Sequence, residues 1–297
     1  MTALSAQEMP CPDSKIYQVD TSSGLKLRAS NGLSSKVITL VPPQAYVEVC
    51  PCEEVLSLIN GVEGCWVMAQ FRGINGYLFN GYLKPTAISV ELVGEYIQSK
   101  DRASADKYYS VRYVEKRGYF SKYEIAVFDQ KKYIANDSLS LDHRKIYEDD
   151  VLFVISGLAF DQESTLGNQY DGKFLYPGEV VRLDNDVLLF ASGVPKRDEA
   201  NSDRPFSFIE DYRVSMRSSV KEVITEQTIF ESTACFVYTN NPNPVGLHLI
   251  WTGDLNNDNR PDLLVQVNDH LRLYLTNQES NGKFSLDLAY KRTLMSY

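Results

Sequence analysis

The stretch Gly24-Leu-Lys-Leu-Arg-Ala29 alternates apolar and charged side chains. Period-two alternation puts Leu25 and Leu27 on one face of an extended strand and Lys26 and Arg28 on the other. Strand-like runs continue from there. Lys36-Val-Ile-Thr-Leu-Val-Pro42 and Ala45-Tyr-Val-Glu-Val-Cys50 come next. A loop from Pro51 to Gly64 leads to Cys65-Trp-Val-Met-Ala-Gln-Phe71, Arg72-Gly-Ile-Asn-Gly76 and Tyr77-Leu-Phe-Asn-Gly-Tyr-Leu83. Strands this short and this closely spaced bury one core by curling into a small barrel. The expected module spans residues 15–88. Residues 1–14 read as a disordered N-terminus or as the remnant of an export signal, with small residues at the spacing a signal peptidase accepts.

Past Lys84-Pro-Thr-Ala87 the strand pattern continues, and residues 89–297 read as one larger antiparallel β domain. Leu92 to Ile97 is a candidate strand. Tyr123-Glu-Ile-Ala-Val-Phe128 and Lys132-Tyr-Ile134 flank a turn at Asp129-Gln-Lys. Val151-Leu-Phe-Val-Ile155 is a continuous apolar run, which predicts burial on both faces. Val180-Val-Arg-Leu183 and Val187-Leu-Leu-Phe190 enclose the turn residues Asp184-Asn-Asp186. Ser218 to Glu226 is the one stretch with helical character. Asp161 to Tyr176 and Val194 to Pro205 are polar and turn-rich and read as surface loops.

Composition narrows the function. Hydrophobic residues at 43% and charged residues at 23% describe an ordinary folded protein. The formal net charge of -9 argues against nucleic acid, whose phosphates need a cationic footprint. No apolar stretch approaches the ~20 residues of a membrane-spanning helix.

Four of the five cysteines, Cys11, Cys50, Cys52 and Cys65, fall in the first 65 residues; the fifth is Cys235. Clustering of that kind fits disulfides in an oxidising compartment. Zinc is the rival, but Cys50-Pro-Cys52 is not a knuckle spacing and no histidine lies nearby. Cys50 and Cys52 end one strand and Cys65 begins another, so Cys65 is expected to reach one of them and Cys11 the other. The expected location is periplasm, cell surface or medium, with cytoplasm as the alternative.

The sharpest chemistry lies in Gly253-Asp-Leu-Asn-Asn-Asp-Asn-Arg-Pro-Asp-Leu-Leu-Val265. Side-chain oxygens recur at alternate positions, Asp254, Asn256 and Asp258; Arg260 offers its carbonyl, and Asp262 closes the set. A calcium ion takes six to eight oxygens at roughly 2.3–2.6 Å, and a tight loop with alternate residues turned inward can supply them. Carboxylates held so close repel one another in the absence of a cation. The bland alternative is an Asn/Asp-rich hairpin turn without an ion.

Two resemblances rest on these residues. Gly24-Leu-Lys-Leu-Arg-Ala29, Ser34-Ser-Lys-Val-Ile38, Trp66-Val and Gly76-Tyr-Leu-Phe-Asn-Gly-Tyr-Leu83 resemble the bacterial SH3 family in order and spacing. The resemblance implies a small barrel that docks a peptide, a cell-wall fragment or a protein through an aromatic groove. Trp66, Tyr77 and Tyr82 sit at motif positions, as core or as ligand contacts; Tyr46 is open to either role. The loop at 254–262 is similar to the Asp-rich loops of FG-GAP repeats, which begin Gly-Asp and end Asp-Leu-Leu between strands. An EF-hand fits less well, because its bidentate Glu would fall at Val265. Asn259 stands where the FG-GAP loop has glycine, and asparagine tolerates the left-handed bend. A looser resemblance, over residues 180–280, is to bacterial SH3-module proteins that end in a Gly-Asp-Leu loop and a Leu-rich strand, here His270-Leu-Arg-Leu-Tyr-Leu275.

Nucleophilic catalysis by the cysteine peptidases often fused to SH3 modules needs a cysteine opening a helix and a histidine well downstream. Cys235, His248 and His270 are in that order, but Ala234-Cys-Phe-Val-Tyr238 reads as strand and His248 follows too soon. No His-Glu-x-x-His, Gly-x-Ser-x-Gly or phosphate-binding glycine loop occurs. The sequence therefore points to a non-catalytic, exported binding protein braced by calcium. The alternative is a wall hydrolase or other envelope enzyme.

Overall fold

A computed structural model describes residues 9, 11, 13–52, 56–92, 96–98, 108–117, 120–127, 143–145, 151–158, 167–196, 208–220, 223–236, 246–256, 258–278 and 284–294. The expected turn at 129–131 and the strand at 132–134 lie outside them. The described chain is almost wholly antiparallel strand, as the alternation predicts. It divides into two compact units: 1–86, 172–250 and 263–297 in the first, 87–171 and 251–262 in the second.

The first unit opens with β1 (Lys15–Val19), β2 (Leu25–Arg28), β3 (Val37–Val41) and β4 (Tyr46–Val49). The small hairpin of β5 (Ser57–Ile59) and β6 (Val62–Gly64) follows, then β7 (Trp66–Phe71), β8 (Ile74–Phe79) and β9 (Leu83–Pro85). Seven of these nine strands form one sheet in the order β3-β2-β8-β7-β4-β1-β9. β3 and β9 end that order and do not pair with each other among the described residues. Alternation gives the sheet its inner face: Val67, Ala69 and Phe71 of β7 are buried, as are Leu27, Val47, Val49 and Leu78. Each fully buried aliphatic side chain is worth about 1.5–3 kcal/mol relative to exposure. Disulfides join Cys11 to Cys50 and Cys52 to Cys65, with Cα separations of 5.8 and 6.3 Å. These are the four clustered cysteines, all paired as disulfides.

The second unit carries β10 (Ser89–Leu92), β11 (Tyr96–Gln98), β12 (Tyr108–Arg117), β13 (Phe120–Val127), β14 (His143–Lys145), β15 (Val151–Ser156) and the start of β16 (Gly167–Phe174). β10, β15, β12, β13 and β16 are neighbours in that order, and β11 pairs with β14. Phe153 and Ile155 are fully buried, in keeping with the apolar run 151–155. The Phe153 ring meets Trp251 edge-on at 5.5 Å. Strand β16 takes up much of the stretch expected to be a loop between Asp161 and Tyr176, because residues 167–168 pair with Lys122 and Tyr123 of β13.

The chain then returns to the first unit with β17 (Val180–Asp184), β18 (Val187–Lys196), β19 (Phe208–Val220) and β20 (Val223–Phe236), one sheet in sequence order. Strand β18 runs through Val194 into the second expected loop. The expected helix at 218–226 is instead the closed end of the β19–β20 hairpin, where Val220 faces Val223 and Arg217 faces Glu226. β-Branched Val220, Val223, Ile224 and Thr225 favour strand there. Cross-strand ion pairs at Arg217–Glu226 (2.8 Å) and Arg213–Glu231 (2.9 Å) reinforce the register. Strand β21 (Leu247–Gly253) precedes the Asp-rich loop; β22 (Asp262–Val267), β23 (His270–Gln278) and β24 (Phe284–Thr293) complete the chain as an antiparallel run. Leu271, Leu273 and Leu275 of β23 are all buried.

Gly157, just past the end of β15, packs closely against Ala87 and Ile88. Its φ is +79°, and a Cβ there would lie 2.6 Å from the Ile88 nitrogen and nearer still to the Ala87 carbonyl. Gly157→Ala should cost about 1–3 kcal/mol from backbone strain alone, more with the collision. Chemical denaturation followed at Trp251 would show it; an unchanged midpoint would contradict this packing.

Candidate functional site

A cleft of about 610 Å³ opens in the first unit. Its walls come from β4, the β7–β8 turn, β20, β23, β24 and the segment around Cys11. Arg72 and Gly73 both have positive φ, 50° and 80°, the primed two-residue geometry that matches the twist of a hairpin. Arg72 lies over the Phe71 ring at 4.6 Å and donates from Nε to Asp287 of β24 at 2.6 Å. Asp287 is 1% exposed and also accepts from Asn277 at 2.9 Å.

A second ion pair stands beside the first. Lys291 donates to Glu48 at 2.8 Å, and Ser14 donates to the same carboxylate oxygen at 2.5 Å. The Cys11–Cys50 bridge ties the segment carrying Ser14 to the end of β4, so Met9, Cys11 and Asp13 form one wall. Tyr46 lies in the cleft, and burial raises its phenol above the ordinary range, with the charge of Asp287 adding to the effect. At the rim, Thr293 Oγ1 lies 3.2 Å from His270 Nδ1, and His270 Nε2 lies 3.4 Å from Asp269. The aromatics at SH3-motif positions, Trp66, Tyr77 and Tyr82, do not line this cleft. Trp66 packs on Phe79 at 5.8 Å, and Tyr82 bonds the Ile59 carbonyl at 3.1 Å.

In the second unit, the loop from Asp254 to Asp262 forms a tight turn with Asn259 at φ 61°. Asp254 accepts backbone N–H bonds from Asp258 at 3.1 Å and Asn259 at 2.7 Å. The Asn256 side chain meets Asp258 at 3.3 Å. Asp262 is fully buried and accepts from Leu255 N at 2.6 Å. Desolvation, then the neighbouring Asp254, raises the Asp258 carboxyl above its ordinary range. The donor set is all oxygen, which suits a hard cation, and the carboxylates stress one another without one. Among the described residues no three acidic, histidine or cysteine side chains gather at one point. Each of Asp254 and Asp262 is turned onto backbone N–H groups, so a cation would draw on their remaining lone pairs.

The histidines and Cys235 of the peptidase test are spread over different strands. Cys235 is on β20 opposite Ile209, His248 is on β21 with its ring 5.2 Å from Phe174, and His270 opens β23. The cleft itself was missed in the sequence, because Arg72 and Asp287 are 215 residues apart and each is unremarkable alone. Comparison with protein-family models, curated proteins and solved structures finds no match.

Removing Arg72 would leave Asp287 charged, buried and short of its cation. Arg72→Ala should destabilise the fold by about 3–5 kcal/mol, with much of that regained in the Arg72→Ala/Asp287→Asn double variant. Urea denaturation of the set measures it. A loss below about 1 kcal/mol for the single variant would place the pair among ordinary surface bridges.

Proposed function

We propose that the protein is a non-catalytic, exported binding protein. Its N-terminal sheet acts as a bacterial SH3-like module, its cleft holds a peptide, cell-wall fragment or protein segment, and calcium braces the 254–262 loop. The observation that carries the reading is the cleft. Its buried charges are matched to one another, Arg72 with Asp287 and Lys291 with Glu48, which gives a fixed polar surface for recognition. Two disulfides in the N-terminal region support an oxidising compartment. In the loop, Asp254, Asn256, Asp258, the Arg260 carbonyl and Asp262 would be the calcium donors.

One observation favours the second reading, a wall hydrolase. Thr293, His270 and Asp269 stand in the order of a hydroxyl–imidazole–carboxylate relay. Incubating the purified protein with peptidoglycan separates the two. Co-sedimentation without soluble fragments is expected; fragment release that is lost in His270→Ala would establish the hydrolase instead.

Calcium has its own test. A cation that binds only the folded state adds roughly 2.7 kcal/mol at one hundred times Kd. The raised Asp258 pKa sets the sign without calcium. The stability this group contributes is present at pH below its unfolded value of about 3.8 and is lost as pH rises through the folded value. At neutral pH the Asp258 charge therefore works against the fold, so Asp258→Asn should melt no lower than wild type in chelator. It should also lose the upward shift that millimolar calcium gives wild type. A wild-type melting point indifferent to calcium, with no heat on titration, would leave a polar turn.

A further inference from the structure

The chain itself occupies part of the cleft in an informative way. The Gln227 side-chain amide donates from Nε2 to the Leu286 carbonyl at 2.8 Å and accepts from the Leu286 N–H at 2.8 Å. An amide that gives one bond and takes one from the same residue does what a peptide unit of a neighbouring strand does. It does so on the outer edge of β24, the last strand of its sheet, which is paired on its other side to β23.

That edge continues into the cleft. Leu286 stands opposite Thr276 and Leu288 opposite Tyr274, so the two are two residues apart in unbroken register. Residues two apart turn their N–H and C=O groups to the same side. The Leu288 peptide groups therefore face the way those of Leu286 do, and Leu288 lines the cleft. Gln227 supplies the first rung; past it β20 and β24 enclose the cleft volume.

Resting on the binding reading above, we infer that the occupant is an extended peptide segment that adds as a strand to the outer edge of β24, continuing the rung that Gln227 begins. Main-chain pairing of this kind gives affinity with little regard to sequence, and lining side chains add selectivity. The lining favours a basic residue. Of the lining cations, Arg72 and Lys291 are already held by Asp287 and Glu48, and Arg272 lies on β23. Asp13, in the wall tethered by Cys11, has no ion pair among the described residues, whereas Glu231 already holds Arg213 through Oε1.

The test uses the full chain and a capped, fluorescein-labelled peptide, Thr-Val-Lys-Val-Thr. Companions carry N-methyl groups on the odd or the even amides, Glu in place of Lys, or a photo-crosslinking side chain. Anisotropy should rise with the parent peptide below about 1 mM. N-methylation of at least one parity should weaken binding by about three- to tenfold per bond lost. The Glu peptide should bind less well, and Asp13→Asn should cost the Lys peptide about two- to fivefold. The Leu288 amide should exchange more slowly with peptide bound, and crosslinks should fall within 227–231 and 286–293. If both N-methyl parities bind as the parent does, or crosslinks map elsewhere, edge pairing is overturned while the binding reading stands. If neither these peptides nor peptidoglycan is retained, both fall.

Discussion

The fold of the first unit turns on one buried carboxylate. Asp287 is almost wholly shielded from water, and a charge there is tolerable only with cations and donors in fixed positions. Arg72 provides the cation from a turn whose left-handed backbone aims it, and Asn277 provides the donor. Glu48 repeats the arrangement with Lys291 and Ser14. These pairs need not add net stability, since two buried charges repay their desolvation only when the geometry is good. What they add is position. A slip of β24 by one residue against the N-terminal sheet would strand both carboxylates, so the pairs fix how β1 and β4 meet β24.

Much of the strand content was legible because it depends on near neighbours. Leu25 and Leu27 against Lys26 and Arg28, the run at 151–155 and the leucines of β23 each announce their face through period-two spacing. The cysteines were legible for a related reason: strand ends at Cys50, Cys52 and Cys65 restrict which partners are in reach. The errors have equally local causes. Ser218 to Glu226 has polar residues acceptable to a helix, but its β-branched residues and the pairing of β19 with β20 across a hairpin, Arg217 opposite Glu226 among them, decide for strand. The stretch from Asp161 to Tyr176 is polar enough to read as loop, yet backbone pairing with β13 does not ask for apolar side chains.

The two candidate sites differ in the same respect. The loop at 254–262 could be picked out as a candidate by reading alone, because its oxygens lie close together in the chain. The cleft could not. Tyr46, Arg72, Gln227, His270 and Lys291 come from five separate stretches, and no local pattern marks any of them. Resemblance drew attention to Trp66 and Tyr82, whereas the packing assigns Trp66 to Phe79 and Tyr82 to the Ile59 carbonyl. Of the aromatics weighed in the sequence, Tyr46 lines the cleft, beside Phe230 and Tyr274.

In strand β24 a structural need and the proposed binding surface would share one element. Its inner edge is used by β23. Its side chains at Asp287 and Lys291 reach back to Arg72 and Glu48 of the N-terminal sheet, which anchors the strand. An exposed strand edge is ordinarily a hazard, and proteins cover or charge it. Here Gln227 covers one residue of that edge with a side-chain amide, and the cleft walls shield the continuation from large flat partners. An edge that is rigid, recessed and partly capped excludes indiscriminate sheet pairing while leaving room for a single extended chain.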